Sequence, residues 1–262
     1  MDVDAFCWKS VEKVASDEDL QVWFESLGPP WKFALARLTH QQVASTLPTN
    51  SCALPDHLLL AAPSRQLSYR AGRLAASGAL QRLGFAPEAP GVVEPGRLPH
   101  WPNGSIGSIT HTMDRHSGGC LAGALVLRRG SLLGVGVDCE SLLESDRAAR
   151  IAMRIAQSDE LAAWAAKGIP PSSVVTAIFS AKESVYKALL GLTNLTPSFH
   201  DAEIGAPNSH RSDALNPQIR CKLSAVFKGQ LQHLNDSLSV TVWCYLGVSH
   251  VWTATAISEH AV

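Results

Sequence analysis

Residues 134–140, GVGVDCE, place Asp138 and Glu140 two positions apart at the end of an apolar run. On a strand, alternate residues share a face. Val135, Val137 and Cys139 then point into a core, and Gly136, Asp138 and Glu140 point the other way. Two carboxylates side by side repel each other unless a cation lies between them. Carboxylate oxygens suit Mg2+, which takes one or two of them and leaves positions for phosphate oxygens and water. A strand running out into a polar turn explains the same residues without any ligand.

The second stretch is FSAKESVYKALL, residues 179–190. It reads as a helix with Ile178, Ala181, Val185 and Leu189 as its apolar stripe and Lys182, Glu183 and Lys187 together on the remaining face. Glu183 precedes Lys187 by four residues, the favourable order for a solvated pair worth about 0.2–0.5 kcal/mol. Ser184-Val185-Tyr186-Lys187 also matches the S-x-x-K pattern of penicillin-recognising serine hydrolases, in which a lysine activates the serine. Those enzymes need S-D-N and K-T-G elements as well, and the chain contains neither string.

Three further groupings have chemical potential. In WPNGSIGSITHT, residues 101–112, Gly104 and Gly107 let the backbone approach a ligand. Ser105, Ser108 and Thr110 add hydroxyl donors, and His111 is a candidate phosphate contact. There is no Walker A or G-x-G-x-x-G string, so a standard nucleotide loop is excluded. Arg65, Tyr69 and Arg73 are spaced by four on one helix face, and guanidinium groups suit phosphate. Arg147, Arg150 and Arg154 line one side of another helix and can meet an acidic partner. Each grouping also has a plain reading: a glycine turn with a structural histidine, and two basic faces turned to water.

These residues need elements to carry them. The chain has 262 residues, 46% of them apolar and 17% charged, the composition of a globular protein with a real core. A net charge of -1 excludes a global positive field of the kind that holds nucleic acid. Cys7, Cys52, Cys120, Cys139, Cys221 and Cys244 form no C-x-x-C pair, which argues for reduced thiols rather than a zinc site. The acidic first residues carry no apolar run, and no stretch approaches the length of a membrane span; we expect a cytoplasmic protein with no membrane span. A helix is expected from Pro63 to about residue 84, and an ordered loop over 87–107. Residues 121–127 and 132–140 flank a short turn and predict a β-hairpin. Helices are expected over 145–156, 158–167 (with Ser158 as cap) and 173–190, and strands over 221–227, 238–246 and 250–257. The mixture predicts an α+β fold with antiparallel sheet.

The order of the motifs is distinctive. GVDCE followed some forty residues later by FSAKESVYK resembles the signature of the 4'-phosphopantetheinyl transferases of the surfactin-synthetase type. WPNGSIGSITHT and YRAGRLAASGAL resemble the enterobactin-synthase branch of that family, and the likeness runs over residues 64–205, FHDAEI included. The resemblance implies two similar α/β halves with pseudo-twofold symmetry, residues 1–130 and 131–262, with coenzyme A in the cleft between them. It implies Mg2+ on Asp138, Glu140 and Glu183. It implies Lys182 and Lys187 at the pyrophosphate, and Thr110, His111, Arg73, Arg65 and Arg97 on the 3'-phosphate side. Ser68 stands where the branch usually has a glutamate, and the segment after Lys187 lacks the family's glycine–lysine–glycine run.

The implied activity is Mg2+-dependent transfer of 4'-phosphopantetheine from coenzyme A to a serine of an apo acyl or peptidyl carrier protein, releasing 3',5'-ADP. Glu183 and Lys187 would be its catalytic residues. The branch implies siderophore or other peptide-synthetase carriers, some relatives also serving fatty-acid carriers, and the two-half fold favours a monomer. The alternatives are a non-catalytic coenzyme A or nucleotide-binding module and the S-x-x-K hydrolase.

Overall fold

The computed structural model describes residues 17–27, 30–39, 54–86, 90–93, 98–113, 119–190, 192–193, 195–207, 211–213 and 216–260. Arg97, Cys7 and Cys52 lie outside them. The fold is mixed helix and antiparallel sheet, with two main sheets each backed by a long helix and a small two-stranded sheet beside them.

In the first sheet β5 (Cys120–Arg128) runs between β1 (Lys32–Leu38) and β4 (Ser105–Met113). Every residue of β5 before Arg128 is buried because both faces are covered. Ala122, Ala124 and Val126 meet the alanine-rich face of helix α3 (Pro63–Arg82), which offers Ala71, Ala75, Ala76 and Ala79. Small side chains there let the helix sit close; a Cβ on Gly72 would come within 2.8 Å of Ile109. Helix α2 (Asp56–Leu59) is a short turn leading into α3. On the opposite face Leu121, Leu125 and Leu127 join Trp23 and Phe24 of helix α1 (Asp17–Glu25) and reach the second sheet.

The second sheet has the order β6 (Leu132–Ser141), β11 (His250–Glu259), β10 (Leu238–Leu246), β9 (Asn216–Phe227) and β7 (Ala202–Ile204), with β8 (Arg211–Asp213) on β9. Helix α6 (Pro171–Leu189) packs across β6 and β11. It follows helices α4 (Ser145–Ile155) and α5 (Ser158–Ala165). The chain path repeats: strand, helix, then a hairpin whose second strand returns to pair with the first. It gives the order β1-β5-β4 in one half and β6-β11-β10 in the other. Val135, Val137 and Cys139 do enter the core shared by the two sheets, which leaves Asp138 and Glu140 on the α6 side of β6.

The sheets meet along β4 and β6 without backbone pairing. Hydroxyls take the place of carbonyls: Ser108 Oγ accepts from Val137 N at 3.0 Å and Thr110 Oγ1 from Cys139 N at 3.0 Å. Thr112 Oγ1 lies 3.3 Å from Ser141 Oγ. This seam brings the two halves of the expected site together.

Three local expectations need correction. Residues 121–127 and 132–140 form strands but not a hairpin: β5 is already paired on both edges by β1 and β4, so the turn at 129–131 carries the chain into the other sheet. Residues 87–107 are not a plain loop. β2 (Gly91–Val93) pairs with β3 (Leu98–His100), and β4 starts at Ser105. Helix α5 is capped by Gln157 rather than Ser158, and Glu160 accepts from the Gln157 N–H at 3.4 Å.

The α6–β6 contact depends on glycine. A Cβ on Gly136 would lie 1.8 Å from Ser184 O, a helix backbone atom that cannot swing aside. Gly104 has φ +80° but an open side. Gly136→Ala is therefore expected to destabilise by about 3 kcal/mol or more, at the upper end of overpacking costs, and Gly104→Ala by about 1 kcal/mol. Urea unfolding of the two variants checks the order.

Candidate active site

One buried carboxylate joins three elements. Asp138 of β6 is 3% exposed. Its Oδ1 accepts from Thr110 Oγ1 of β4 at 3.2 Å and from Lys187 Nζ of α6 at 2.6 Å. Thr110 has a single proton; it goes to Asp138 because the hydroxyl oxygen already accepts from Cys139 N. Lys187 donates also to Val137 O at 3.2 Å. Asp138 Oδ2 is buried with no partner among the described residues. An orphaned carboxylate oxygen is costly, and it is the atom a cation would take.

Glu140 and Glu183 lie within the field of Asp138. Burial first, then the Asp138 charge, pushes Glu140 up to about 8, with Lys187 pulling the other way and Glu183 adding to the rise. Burial and Asp138 also raise Glu183, again against Lys187. Both carboxyls are thus less acidic than free glutamate, first through burial and then through the Asp138 charge. A hard divalent cation fits that donor set. The side chains do not yet form a cage: among the described residues no three His, Cys, Asp or Glu side chains converge as a metal-holding group.

A basic cavity of about 190 Å³ opens beside Thr110. Arg65, Tyr69 and Arg73 of α3 line it with His111 of β4 and His57. Arg73 is buried, its guanidinium 4.8 Å from the centre of the Tyr69 ring, and its Nε has no partner among the described residues. Arg65 Nη1 is 3.5 Å from His111 Nε2. Burial, and then the charges of Lys187 and Arg65, lower His111 to about 4, so it is neutral at physiological pH. Ser68, also in the lining, donates back to Ser64 O at 2.9 Å and adds no acid.

A second cavity, about 460 Å³, shares Pro99 and Ile109 with the first and continues it toward α6. Trp101, Ile106, Leu133, Leu190 and Lys187 are among its walls. Gly107 is in the cavity wall as well, and a Cβ there would lie 2.7 Å from Leu125 O and 2.8 Å from the Trp101 ring. Gly104 makes the turn into β4.

The structure thus joins Asp138 to Thr110 and Lys187, places Glu140, Glu183 and His111 within the field of that group, and sets Arg65 and Arg73 beside His111. It does not bring Lys182 there. That side chain is fully buried, and its ammonium spends its three protons on Glu160 Oε2 at 2.8 Å, Ile155 O at 2.8 Å and Phe199 O at 2.9 Å. Lys182 is a core cation, not a pyrophosphate contact. Ser184 is excluded as a nucleophile for a similar reason: it is buried, with its Oγ 2.8 Å from Ala181 O and 2.7 Å from Thr255 Oγ1. Sequence reasoning missed Glu160, which also accepts from Ile204 N at 2.8 Å, and the wall formed by Trp101. The alternating hydroxyls Ser108, Thr110 and Thr112 were the available sign of the seam.

Residues 54–118 match the 4'-phosphopantetheinyl transferase N-terminal domain, and residues 134–242 match the 4'-phosphopantetheinyl transferase superfamily. The chain belongs to the 4'-phosphopantetheinyl transferase superfamily. It is 37% identical over 154 residues to enterobactin synthase component D of Salmonella typhi, covering 59% of this chain and 60% of that protein. It is 33% identical over 150 residues to 4'-phosphopantetheinyl transferase Svp of Streptomyces mobaraensis, covering 56% of this chain and 57% of that protein. The matched region thus spans about 60% of the length of these curated relatives.

Two predictions follow from the electrostatics. A glutamate raised from 4.5 to about 8 on folding gives stability that is full below its unfolded pKa and is lost as pH rises through its folded one. The cation-free protein should therefore lose melting temperature between pH 6 and pH 8 by more than Glu140→Gln does. A divalent cation competes with those protons, so its stabilising shift should be larger at pH 8 than at pH 6; thermal melts with and without chelator read both. Lys182→Met strands Glu160 and should cost about 3–5 kcal/mol in urea unfolding, whereas adding Glu160→Gln should recover part of it.

Proposed function

We propose that the protein transfers the 4'-phosphopantetheine arm of coenzyme A to a serine hydroxyl of an apo carrier protein, with Mg2+, releasing 3',5'-ADP. The observation that carries this reading is Asp138, held on one oxygen by Thr110 and Lys187 and left bare on the other. Family membership supports it, as do the names of the relatives, which point to carriers of siderophore peptide synthetases.

Asp138, Glu140 and Glu183 would hold the cation. When bound, Mg2+ would draw charge from the pyrophosphate oxygens and make the phosphorus more electrophilic. Coenzyme A would lie in the cleft between residues 1–130 and 131–262. Arg65, Arg73, Thr110 and His111 would bind its 3'-phosphate side, with Arg97 assigned there by resemblance alone. Neutral His111 would serve as a hydrogen-bond partner rather than a cation, leaving the charge to the two arginines. Glu183 would take the serine proton; its raised pKa makes it a better base than an ordinary carboxylate. The serine oxygen would then bond to phosphorus as the bond to the leaving 3',5'-ADP breaks. Lys187, already in the cleft wall, would offset the charge on that leaving group. Among the described residues no helix is long and apolar enough to cross a membrane. The free thiols of Cys120, Cys139, Cys221 and Cys244 support a reducing, cytoplasmic setting, and the two-half fold implied by the family resemblance favours a monomer.

The test is incubation of the protein with coenzyme A, Mg2+ and apo carrier, read by mass spectrometry for addition of the arm. Glu183→Gln should leave the melting temperature near that of the parent and lower transfer by about 10²–10³, the usual scale for an electrostatic catalytic group. Turnover close to the parent's would remove Glu183 from the mechanism.

A further inference from the structure

One row of residues crosses the second sheet from the site toward its far edge. The register pairs Asp138 of β6 with Thr253 of β11, Thr253 with Cys244 of β10, and Cys244 with Cys221 of β9. Directly opposed residues turn their side chains to the same face. Here that face is the one α6 covers: Ser180 Oγ of α6 lies 2.9 Å from Thr253 Oγ1, and Cys221 and Cys244 both belong to the core beneath the helix. The two thiols are free and adjacent. Cys221 Sγ lies 3.9 Å from Cys244 O, and the hydrogen bond between the thiols, ahead of burial, raises the pKa of Cys244. Opposed residues of an antiparallel pair have Cα atoms about 4.5–5.5 Å apart, inside the roughly 4.4–6.8 Å that a disulfide spans. Cys120 and Cys139 sit elsewhere, one among the alanines against α3 and the other in the core between the sheets. Cys221 also has an approach from outside. It is 9% exposed, the most of the four described cysteines, against 1% for Cys244. On the edge of β9 away from β10, β8 pairs as far as Arg220 and β7 pairs from Ala225 onward. Among the described residues, 221–223 have no strand partner on that edge.

We infer that Cys221 and Cys244 are a redox modification site, at which an oxidant of the peroxide class converts the two thiols into a reversible cross-strand disulfide. The outer thiol reacts first. The Cys221 sulfur attacks the peroxide, the O–O bond breaks, and a sulfenic acid forms with release of water. The Cys244 sulfur then attacks that sulfur. The S–S bond forms as the S–O bond breaks, and the hydroxyl leaves with the Cys244 proton as a second water. Two electrons pass from the thiol pair to the peroxide. A thiol reductant reverses the step by attack at the more exposed Cys221 sulfur. The bond closes residues 222–243 into a loop and ties β9 to the strands that lead back to Asp138. It lies three strand spacings, about 14 Å, from Asp138. The thiol pair is therefore separate from the acidic cluster, and its chemistry does not depend on the transferase reading.

The experiment treats the whole chain with hydrogen peroxide, blocks the remaining thiols, and maps the digest by mass spectrometry without reductant; a thermal melt is run on the same sample. The parent should yield a peptide pair joined through Cys221 and Cys244 and lose that link on treatment with dithiothreitol. The oxidised parent should melt about 5 °C or more above the reduced one, because the closed loop restricts the unfolded chain. Cys244→Ala removes the resolving thiol and should leave Cys221 as a sulfenic acid that dimedone labels. Cys221→Ala should show neither the link nor the rise in melting temperature, whereas Cys120→Ala, outside the pair, should keep both. The parent's digest decides the matter by itself if a variant fails to fold. Recovery of Cys221 and Cys244 as unlinked thiols, or of Cys221 as a sulfinic acid without the link, overturns the site.

Discussion

A single carboxylate oxygen holds the site together. Asp138 Oδ1 receives one proton from β4 and one from α6, and Asp138 itself stands on β6, so three elements from both halves of the chain converge on it. Thr110 makes this possible because its hydroxyl is used in both senses: it accepts from the β6 backbone and donates to the β6 side chain. Removing that hydroxyl would loosen the carboxylate and unpair a buried N–H together. Lys187 compensates the charge only in part, since its contact to one oxygen leaves the other bare. Burial first, and then the Asp138 charge that Lys187 only partly offsets, raises the pKa of Glu140 and Glu183.

The seam between β4 and β6 explains why such a cluster can sit between two sheets. Backbone pairing there would have closed the gap and merged the halves into one continuous sheet. Side-chain hydroxyls are longer than carbonyls and hold the strands apart while still satisfying Val137 and Cys139 N–H. The cleft opens on the face where Ile109 and His111 point toward α3, and it continues past Trp101 to Lys187. Behind the seam, Phe33, Trp252, Val137 and Leu125 fill one apolar core, with Gly123 giving the Trp252 ring its space. The two halves cannot move apart without exposing that core.

Much of this could be read from the sequence because it follows local periods. The alternation in GVGVDCE put the two acids on one face, and the spacing of Glu183 and Lys187 put them about 40° apart on α6. The strands and long helices were legible for the same reason. The pairing was not. The turn after β5 looks like a hairpin turn in sequence, but which edges of β5 are free is decided by β1 and β4, distant along the chain. Gly107, which lines the cavity, was legible only in part. A strand glycine signals a close approach but not by what, and here the visitor is Trp101.

Lys182 shows where local reading had enough information and lost it. At 100° per residue, position 182 lies within about 60° of Ile178, Val185 and Leu189, in the middle of the stripe that α6 turns to the core. Position 187 lies about 140° away from it, near Glu183. The wheel alone separates the two lysines: one must be buried, the other can reach the cleft. A buried ammonium is tolerable only with its protons satisfied and its charge matched. That demands an acid from another element, and Glu160, which sits at the start of α5 and also caps it, supplies one. The pair ties α5, the end of α4 and β7 to α6, so it fixes the rotation of the helix that aims Glu183 and Lys187. The charged motif is thus divided between two tasks. Its first lysine sets the helix, and the glutamate and second lysine face what the helix was set for.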